Sequence, residues 1–270
     1  MDIKDSRTCN LLSLQLLAEY YSADIKEMEG YYWELAGDKK FIKEVNLKID
    51  KARDKYSGGL FLNKNIDNID WFGNQRITLY VLARYLKPEL CVETGVFYGG
   101  TTTFLLNALA RNARGKLISI DLPANKIPAS TFKRHEKVAS SEILPEGFSP
   151  GFLIPDYLKE RWDLREGGSL DIMKAIPDGF ELFSHDSEHR YDYMMTELAL
   201  ARSKMPLTGT IMADDIDWSN GFIDFCTRHK LYPLFLPDNG KHGLKARLGL
   251  VRLDHPNIGL ESVMGRTCKA

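Results

Sequence analysis

The chain has 270 residues, of which 36 are basic and 37 are acidic, so its formal charge is −1. This balance argues against a blanket nucleic-acid-binding surface, and 44% hydrophobic with 27% charged residues is typical of globular proteins rather than disordered, collagen-like or membrane-spanning ones. A chain of this length is one large domain, or one domain with a sizeable extension.

Four cysteines lie far apart in the sequence, at Cys9, Cys91, Cys226 and Cys268. Without a Cys-x-x-Cys pair they predict neither a zinc finger nor a disulfide framework. The first apolar stretch, Leu11–Ala18, is too short for a signal peptide, and no apolar run approaches the roughly 18 residues of a membrane span. We therefore expect a cytoplasmic protein without nucleic-acid or membrane partners, and a homo-oligomer stays open.

Residues 1–71 predict a helical N-terminal extension. Apolar residues recur at helical spacing between positions 10 and 54, with charged residues on the other faces. The turn-rich segments 56–59 and 63–65 then mark a loop. The extension is either a layer packed on the core domain or a lid or dimerisation element, and the sequence leaves both open. The apolar positions are Leu12, Leu16, Leu17, Tyr20, Tyr21, Phe41, Ile42, Val45 and Ile49.

Residues 72–270 predict a second domain in which helices and strands alternate. Such alternation implies right-handed crossovers and a mostly parallel sheet with helices on both faces. The last two apolar runs are joined by Pro237–Gly240 and predict an antiparallel hairpin at the end of that sheet. Residues 122–160, rich in proline and basic side chains, are a substrate loop or a solvated insertion. The predicted strands are Leu90–Glu93, Lys116–Ile120, Phe180–His185, Thr210–Ala213, Leu231–Leu236 and Ala246–Leu253, and the helices are Ile77–Leu86, Thr101–Arg111 and Tyr191–Lys204.

A glycine-rich turn stands between the first strand and the following helix, in the sequence VETGVFYGGTT. Gly95 allows a sharp turn, and Gly99 and Gly100 allow a ligand or another backbone to approach closely. A dinucleotide site would need glycine two positions after Gly95, whereas Phe97 stands there, which argues against a pyrophosphate. Glu93 lies near the end of the strand and suits an amine-bearing or cationic cofactor. The turn alone is also compatible with a purely structural role.

Asp121 follows the second predicted strand directly. An acidic side chain at this edge of an α/β sheet is placed to accept hydrogen bonds from both hydroxyls of a ribose. The alternative is a capping role in the turn before Pro123. The glycine-rich turn upstream favours ribose binding.

Acidic residues cluster where two later strands end, in SHDSEHRY and in MADDIDW. The carboxyl ends of neighbouring strands line the ligand crevice of an open α/β sheet, so we expect Asp186, Asp214 and Asp215 to converge. Three carboxylates without a counterion repel each other, and a divalent cation such as Mg²⁺ would relieve this repulsion. In the alternative, Asp214 is a helix N-cap and Asp215 is solvated. His185 and His189 are candidates for proton transfer or structural histidines.

Together these segments resemble the class I S-adenosylmethionine-dependent methyltransferases. The stretch Glu93–Gly99 is similar to the family's E-x-G-x-x-x-G motif, and Asp121 matches the acidic end of its second strand. Phe180–Tyr191 resembles the F-D-L-V-F-I-D-G-D-H-x-Y pattern of the metal-dependent small-molecule O-methyltransferases, and Asp214–Asp215 resembles the acidic pair after their next strand. The resemblance covers about residues 72–253. It implies a Rossmann-like, seven-stranded, mostly parallel sheet with an antiparallel terminal hairpin.

The resemblance also implies a role for each candidate site residue. The first motif holds the methionine end of the cofactor, and the acid after the second strand binds the ribose. Ser169 is the candidate for an adenine contact, because Gly168 stands where the family often has an acid. The implied cofactor-binding residues are Glu93, Gly95, Gly99, Thr101, Asp121, Ser169 and Asp186, the implied magnesium ligands are Asp186, Asp214 and Asp215, and the implied general base is Glu188 or His189.

We therefore predict a methyltransferase that uses S-adenosylmethionine and Mg²⁺ to methylate a hydroxyl of a small molecule, such as a sugar or a secondary metabolite. A divalent cation would stabilise the alkoxide as it forms, and a neighbouring base would accept its proton. Two alternatives stay open. One is an NAD(P)-dependent oxidoreductase, which Phe97 argues against, and the other is a catalytically silent nucleoside-binding domain.

Overall fold

The computed structural model describes residues 6–53, 68–122, 144, 147–240 and 243–256. Its strands are β1 (Leu90–Thr94), β2 (Lys116–Asp121), β3 (Trp162–Glu166), β4 (Leu182–His185), β5 (Thr210–Ala213), β6 (Leu231–Gly240) and β7 (Gly243–Pro256). They form one sheet in the order β3-β2-β1-β4-β5-β7-β6. β1 to β5 pair in parallel, whereas β7 is antiparallel to β5 and β6. The predicted sheet and its antiparallel hairpin are confirmed.

Helices cover both faces of this sheet. In the described ranges they are α1 (Ser6–Tyr21), α2 (Ile25–Ala36), α3 (Lys39–Arg53), α4 (Asn74–Leu86), α5 (Gly100–Arg111), α6 (Ser169–Ala175), α7 (Tyr191–Lys204) and α8 (Gly221–Arg228). Residues of α1 to α5 share one buried cluster with Cys91 and Leu117 of the sheet, and residues of α6 to α8 share a second with Val92 and Ile118. Consecutive strand residues therefore point to opposite helix layers.

The predicted N-terminal helices form part of the first of these two clusters. Leu14, Tyr32 and Phe41 are fully buried in it together with Phe104 of α5. α1 to α3 therefore form a layer that shares one core with α4 and α5. A lid or dimerisation role for this layer stays a prediction, and the loop segments 56–59 and 63–65 lie outside the described residues.

Three elements were not predicted. β3 is the outer strand of the sheet and none of its residues is buried, so it carries charged residues instead of an apolar run. α6 has 7 residues and α8 has 8, which is too short for a helical period to stand out. Most of the predicted loop 122–160, at 123–143 and 145–146, lies outside the described residues. None of the described helices is long and apolar enough to cross a membrane.

Candidate functional site

The glycine-rich turn follows β1 directly and is held between two strands. The N–H of Gly95 donates to the carbonyl oxygen of Ile120 at 2.9 Å. Gly95 has a φ of +86°, and a Cβ atom there would overlap the carbonyl oxygen of Asp186. Gly99, with a φ of +87°, precedes the first residue of α5. Both glycines are needed for the chain to pass from β1 into α5 in so few residues.

Glu93 is buried on the side of the sheet that faces α5. Ser119 Oγ donates to Glu93 Oε1 at 2.5 Å, and Trp162 Nε1 donates to the same serine hydroxyl at 2.7 Å. The other carboxylate oxygen, Oε2, is buried without a hydrogen-bond partner among the described residues. Burial raises the pKa of Glu93 to about 7. An orphaned carboxylate oxygen next to this turn fits the ammonium group of a bound amino-acid moiety, such as the methionine end of S-adenosylmethionine.

Asp121 contacts the same turn from the end of β2. Its Oδ2 accepts a hydrogen bond from the backbone N–H of Phe97 at 2.8 Å. Burial raises the pKa of Asp121, although the N–H groups of the turn act in the opposite direction. Phe97 has a φ of +50°, so a bulky residue adopts the left-handed conformation here. Asp121 thus lies at the predicted edge of the sheet, and its ribose contact stays a prediction.

Gln75 of α4 links two of the predicted cofactor residues and was missed by sequence reasoning. Thr101 Oγ1 donates to Gln75 Oε1 at 3.4 Å, and Gln75 Nε2 donates to Asp186 Oδ2 at 3.1 Å. Thr101 is buried, so its hydroxyl faces α4 rather than the solvent. No signal in the sequence marks Gln75, because it precedes the methyltransferase-like motifs.

The predicted acidic cluster assembles only in part. Asp186 lies beside Asp214, and burial together with the charge of Asp214 raises the pKa of Asp186 well above its ordinary value. Asp215 instead forms an ion pair with Arg247 of β7. Arg247 Nε also lies 3.6 Å from Asp217 Oδ1. Sequence reasoning missed Arg247.

This arrangement does not show the predicted magnesium site. Across the described ranges, no group of three or more His, Cys, Asp or Glu side chains is arranged to hold a metal ion. The third predicted ligand, Asp215, faces a guanidinium. The residues therefore do not fit a site in which three carboxylates bind Mg²⁺, which needs near-octahedral oxygen ligands.

His189 is the better placed of the two candidate bases. Its Nε2 lies 4.0 Å from Asp186 Oδ1 and has no hydrogen-bond partner among the described residues. Its ring centroid is 5.5 Å from that of the exposed Trp218. Burial lowers the pKa of His189 to about 3, and the charges of His185 and Arg247 act in the same direction. His189 is therefore neutral at pH 7, although so low a pKa makes it a weak proton acceptor.

Glu188 points elsewhere. Its Oε1 accepts a hydrogen bond from the backbone N–H of Arg190 at 3.1 Å and lies 3.3 Å from Arg190 Nε. The Glu188 carboxylate thus interacts with both the backbone and the exposed side chain of Arg190, two residues further along the chain.

Sequence reasoning also missed Glu197 of α7. Its carboxylate is the centre of a buried hydrogen-bond network on the face of the sheet opposite to Glu93. It is fully buried, and His185 and three hydroxyl groups surround it. Burial alone would raise the pKa of Glu197, but His185 and the hydroxyl donors outweigh burial and lower it. The sequence did hold a signal, because Glu197 interrupts the apolar face of α7. The groups bonded to Glu197 are His185 Nδ1, Thr94 Oγ1, Ser169 Oγ and Ser187 Oγ.

Ser169, the predicted adenine contact, belongs to this buried network. Its hydroxyl also bonds to the hydroxyl of Tyr193 at 2.7 Å. Ser169 is buried, and its hydroxyl is engaged inside the protein with Glu197 and Tyr193. The side-chain contact with adenine stays a prediction.

Comparisons with known proteins agree with this description. Residues 92–216 match the family model for a methyltransferase domain. The O-methyltransferase from Bacillus cereus, solved in complex with SAH, superposes with a TM-score of 0.52 at 15% identity, over 81% of this chain and 93% of that one. The O-methyltransferase TomG from Streptomyces achromogenes, involved in tomaymycin synthesis and solved with SAM, superposes with a TM-score of 0.50 at 14% identity. The superposition covers 81% of this chain and 91% of that one. No curated protein matches the chain.

At 14–15% identity the two solved structures support the fold alone. The family match supports a methyltransferase domain within residues 92–216. The match includes the glycine-rich turn, Asp121 and the acidic residues after β4 and β5. Residues 92–216 are therefore similar to a methyltransferase domain, and the seven-stranded sheet has the Rossmann-like methyltransferase fold.

Proposed function

We propose that the protein is an S-adenosylmethionine-dependent O-methyltransferase that acts on a hydroxyl group of a small molecule. The proposal rests on two neighbouring features. The first is the glycine-rich turn, next to which lie Asp121 and a Glu93 oxygen, Oε2, that has no hydrogen-bond partner among the described residues. The second is the imidazole of His189, which is neutral at pH 7. The first part suits the cofactor and the second suits proton removal from an acceptor.

The cofactor would supply a methyl group activated on a sulfonium. Glu93 would bind the ammonium group at its methionine end, and Asp121 would bind the ribose hydroxyls. Gly95 keeps the turn tight enough for both acids to lie at the same edge of the sheet. Orienting the reactants in this way is worth up to about 7–11 kcal/mol of the reaction barrier.

His189 would accept the proton of the acceptor hydroxyl. Its Nε2, which has no hydrogen-bond partner among the described residues, is the proton-accepting atom. Trp218 is 62% exposed beside His189 and offers an apolar ring to an acceptor. The proposed proton transfer does not use magnesium, because Asp215 faces Arg247.

Calorimetric titration of the purified protein with S-adenosylhomocysteine tests the cofactor assignment. We expect one site per chain, and we expect Asp121→Ala to weaken binding at least about tenfold because the ribose loses its acceptor. Asp163→Ala, at an exposed position of β3, is the matched control and should leave the affinity unchanged. No binding by the wild-type protein would overturn the proposal.

Substitution of the two candidate bases tests the proton step. In assays of methyl transfer from labelled S-adenosylmethionine to a panel of phenols and sugars, His189→Gln should lower the rate by about 10²–10⁴-fold, since the amide cannot accept the proton. Its affinity for S-adenosylhomocysteine should not change. Glu188→Gln should retain most of the activity, and the reverse ranking of the two variants would assign the base to Glu188.

A further inference from the structure

The register of the C-terminal hairpin brings Arg247 to the acidic segment that follows β5. Ala213 lies opposite Gly249 in the antiparallel pairing. Each residue forward along β5 corresponds to one residue back along β7, so Asp215 comes opposite Arg247. The backbone N–H of Ile216 donates to the carbonyl oxygen of Arg247 at 3.1 Å, and the pairing therefore continues past the end of β5.

The side chains complete this pairing. Arg247 forms an ion pair with Asp215, and its Nε lies 3.6 Å from Asp217 Oδ1. The three side chains are 24%, 16% and 28% exposed, so the charges are largely shielded from water. Asp215 has a φ of +49°, a left-handed conformation that aspartate adopts more readily than most residues.

Arg247 is also close to the rest of the site. Its charge contributes to the low pKa of His189, and His189 in turn lies next to Asp186. A guanidinium is a permanent cation whose planar donors match carboxylate oxygens. A divalent cation bound between Asp215 and the other acids would meet this positive charge at close range, where the repulsion is strong.

We propose that the guanidinium of Arg247 takes the place of a divalent cation at this edge of the sheet. Asp215 and Asp217, which follow β5, are balanced by a cation of the chain itself, and methyl transfer proceeds without a bound metal. The catalytic meaning of this inference rests on the proposed function, whereas the exchange of a metal for an arginine can be measured independently of activity.

Titration with Mn²⁺, followed by calorimetry and electron paramagnetic resonance on the full chain, tests the proposal. The wild-type protein and Arg247→Lys should not bind Mn²⁺ up to about 1 mM, because a fixed cation fills the site. Arg247→Met should gain one Mn²⁺ site with a dissociation constant at least about tenfold below 1 mM, because the carboxylates are left without their counter-charge. Asp215→Asn in the Arg247→Met background should abolish this gain.

Arg252→Met is the matched control. Arg252 lies on the same strand and pairs with Asp254 at 3.0 and 2.9 Å, away from the acidic cluster, so this variant should not gain Mn²⁺ binding. Arg247→Gln is the second variant if Arg247→Met does not fold, as judged by circular dichroism.

Three outcomes would overturn the inference: stoichiometric Mn²⁺ binding by the wild-type protein, failure of every folded neutral variant of Arg247 to bind Mn²⁺, and an equal gain in Arg252→Met. Binding of S-adenosylhomocysteine in the same samples tests the proposed function separately. Its absence from the wild-type protein would contradict the proposed function whatever the Mn²⁺ titration shows.

Discussion

Two buried glutamates close to the glycine-rich turn show how neighbouring groups set a pKa. Glu93 accepts a hydrogen bond from Ser119, its Oε2 has no hydrogen-bond partner in the part of the chain that the structure describes, and burial raises its pKa to about 7. Glu197 is equally buried, yet its hydroxyl donors and His185 lower its pKa. Burial penalises a carboxylate only where donors do not replace water. Glu93 is thus the residue that is prepared for a cationic ligand.

The raised pKa of Glu93 predicts a specific pH dependence of stability. Its folded-state pKa of about 7 exceeds the ordinary value of 4.5, so the folded state binds more protons than the unfolded state between these pH values. The free energy of unfolding contributed by Glu93 is therefore highest below pH 4.5 and falls as the pH rises through 7.

Glu93→Gln should remove this dependence, because glutamine does not titrate. From pH 4.5 to above pH 7 the variant should gain about 3 kcal/mol relative to the wild-type protein. Urea unfolding of the cofactor-free proteins at both pH values measures this shift. A constant difference in stability across that pH range would show that Glu93 titrates normally.

Two glycines differ sharply in what a side chain would meet. Gly95→Ala should lose S-adenosylhomocysteine binding and more than about 2 kcal/mol of stability, because its φ is +86° and its Cβ would overlap the carbonyl oxygen of Asp186. Gly30 is exposed within α2 with no atom near its missing Cβ. Gly30→Ala should therefore stabilise the protein by about 0.5–1 kcal/mol. Equal effects of the two substitutions in thermal unfolding would refute the steric argument.

At the scale of elements, the carboxylates of Asp70 and Glu34 fasten the N-terminal helices to the rest of the fold. Asp70 accepts hydrogen bonds from Arg7 Nε at 2.9 Å, Asn10 Nδ2 at 2.8 Å and the Tyr32 hydroxyl at 2.7 Å, which joins α1 and α2 to the segment before α4. Glu34 of α2 pairs with Arg84 of α4 at 2.8 Å. These contacts give the helical layer a defined position that apolar packing alone would leave loose.

Asp70→Ala should lower the free energy of unfolding by about 3 kcal/mol, because it leaves the buried donors of Asn10 and Tyr32 without an acceptor. The half-exposed Asp50, which pairs with Arg53 one turn away, is the matched control. Asp50→Ala should change the stability by less than about 0.5 kcal/mol. Denaturant unfolding followed by tryptophan fluorescence compares the two, and similar losses would contradict a special role for Asp70.

At the scale of the whole molecule, the helical layer and the sheet share one core. Phe104 of α5 packs against Phe41 of α3 and against Phe72, with ring centroids 5.2 and 4.6 Å apart. Removal of residues 1–71 would expose this apolar surface of α4 and α5 to water. We expect the truncated chain to be aggregated or unfolded by circular dichroism and dye binding. A stable, folded truncated domain would instead favour a separate lid or dimerisation element.

The sequence predicted most of the sheet because its buried parallel strands are short apolar runs separated by amphipathic helices. It also predicted the edge where Glu93, Asp121 and Asp186 lie, since the carboxyl ends of parallel strands meet at one side of a sheet. The same rule placed Asp215 with them. At Asp215 the chain takes a left-handed turn and the side chain pairs with Arg247, a contact that the rule does not predict.

The sequence by itself determined the alternating elements, the glycine-rich turn and the resemblance to methyltransferases, because each depends on residues close together in the chain. The tertiary structure alone decided which side chains meet at the site. Gln75, Glu197 and Arg247 reach it from α4, α7 and β7 through helix packing and antiparallel register. Local periodicity does not encode such pairings, because they depend on how distant segments align.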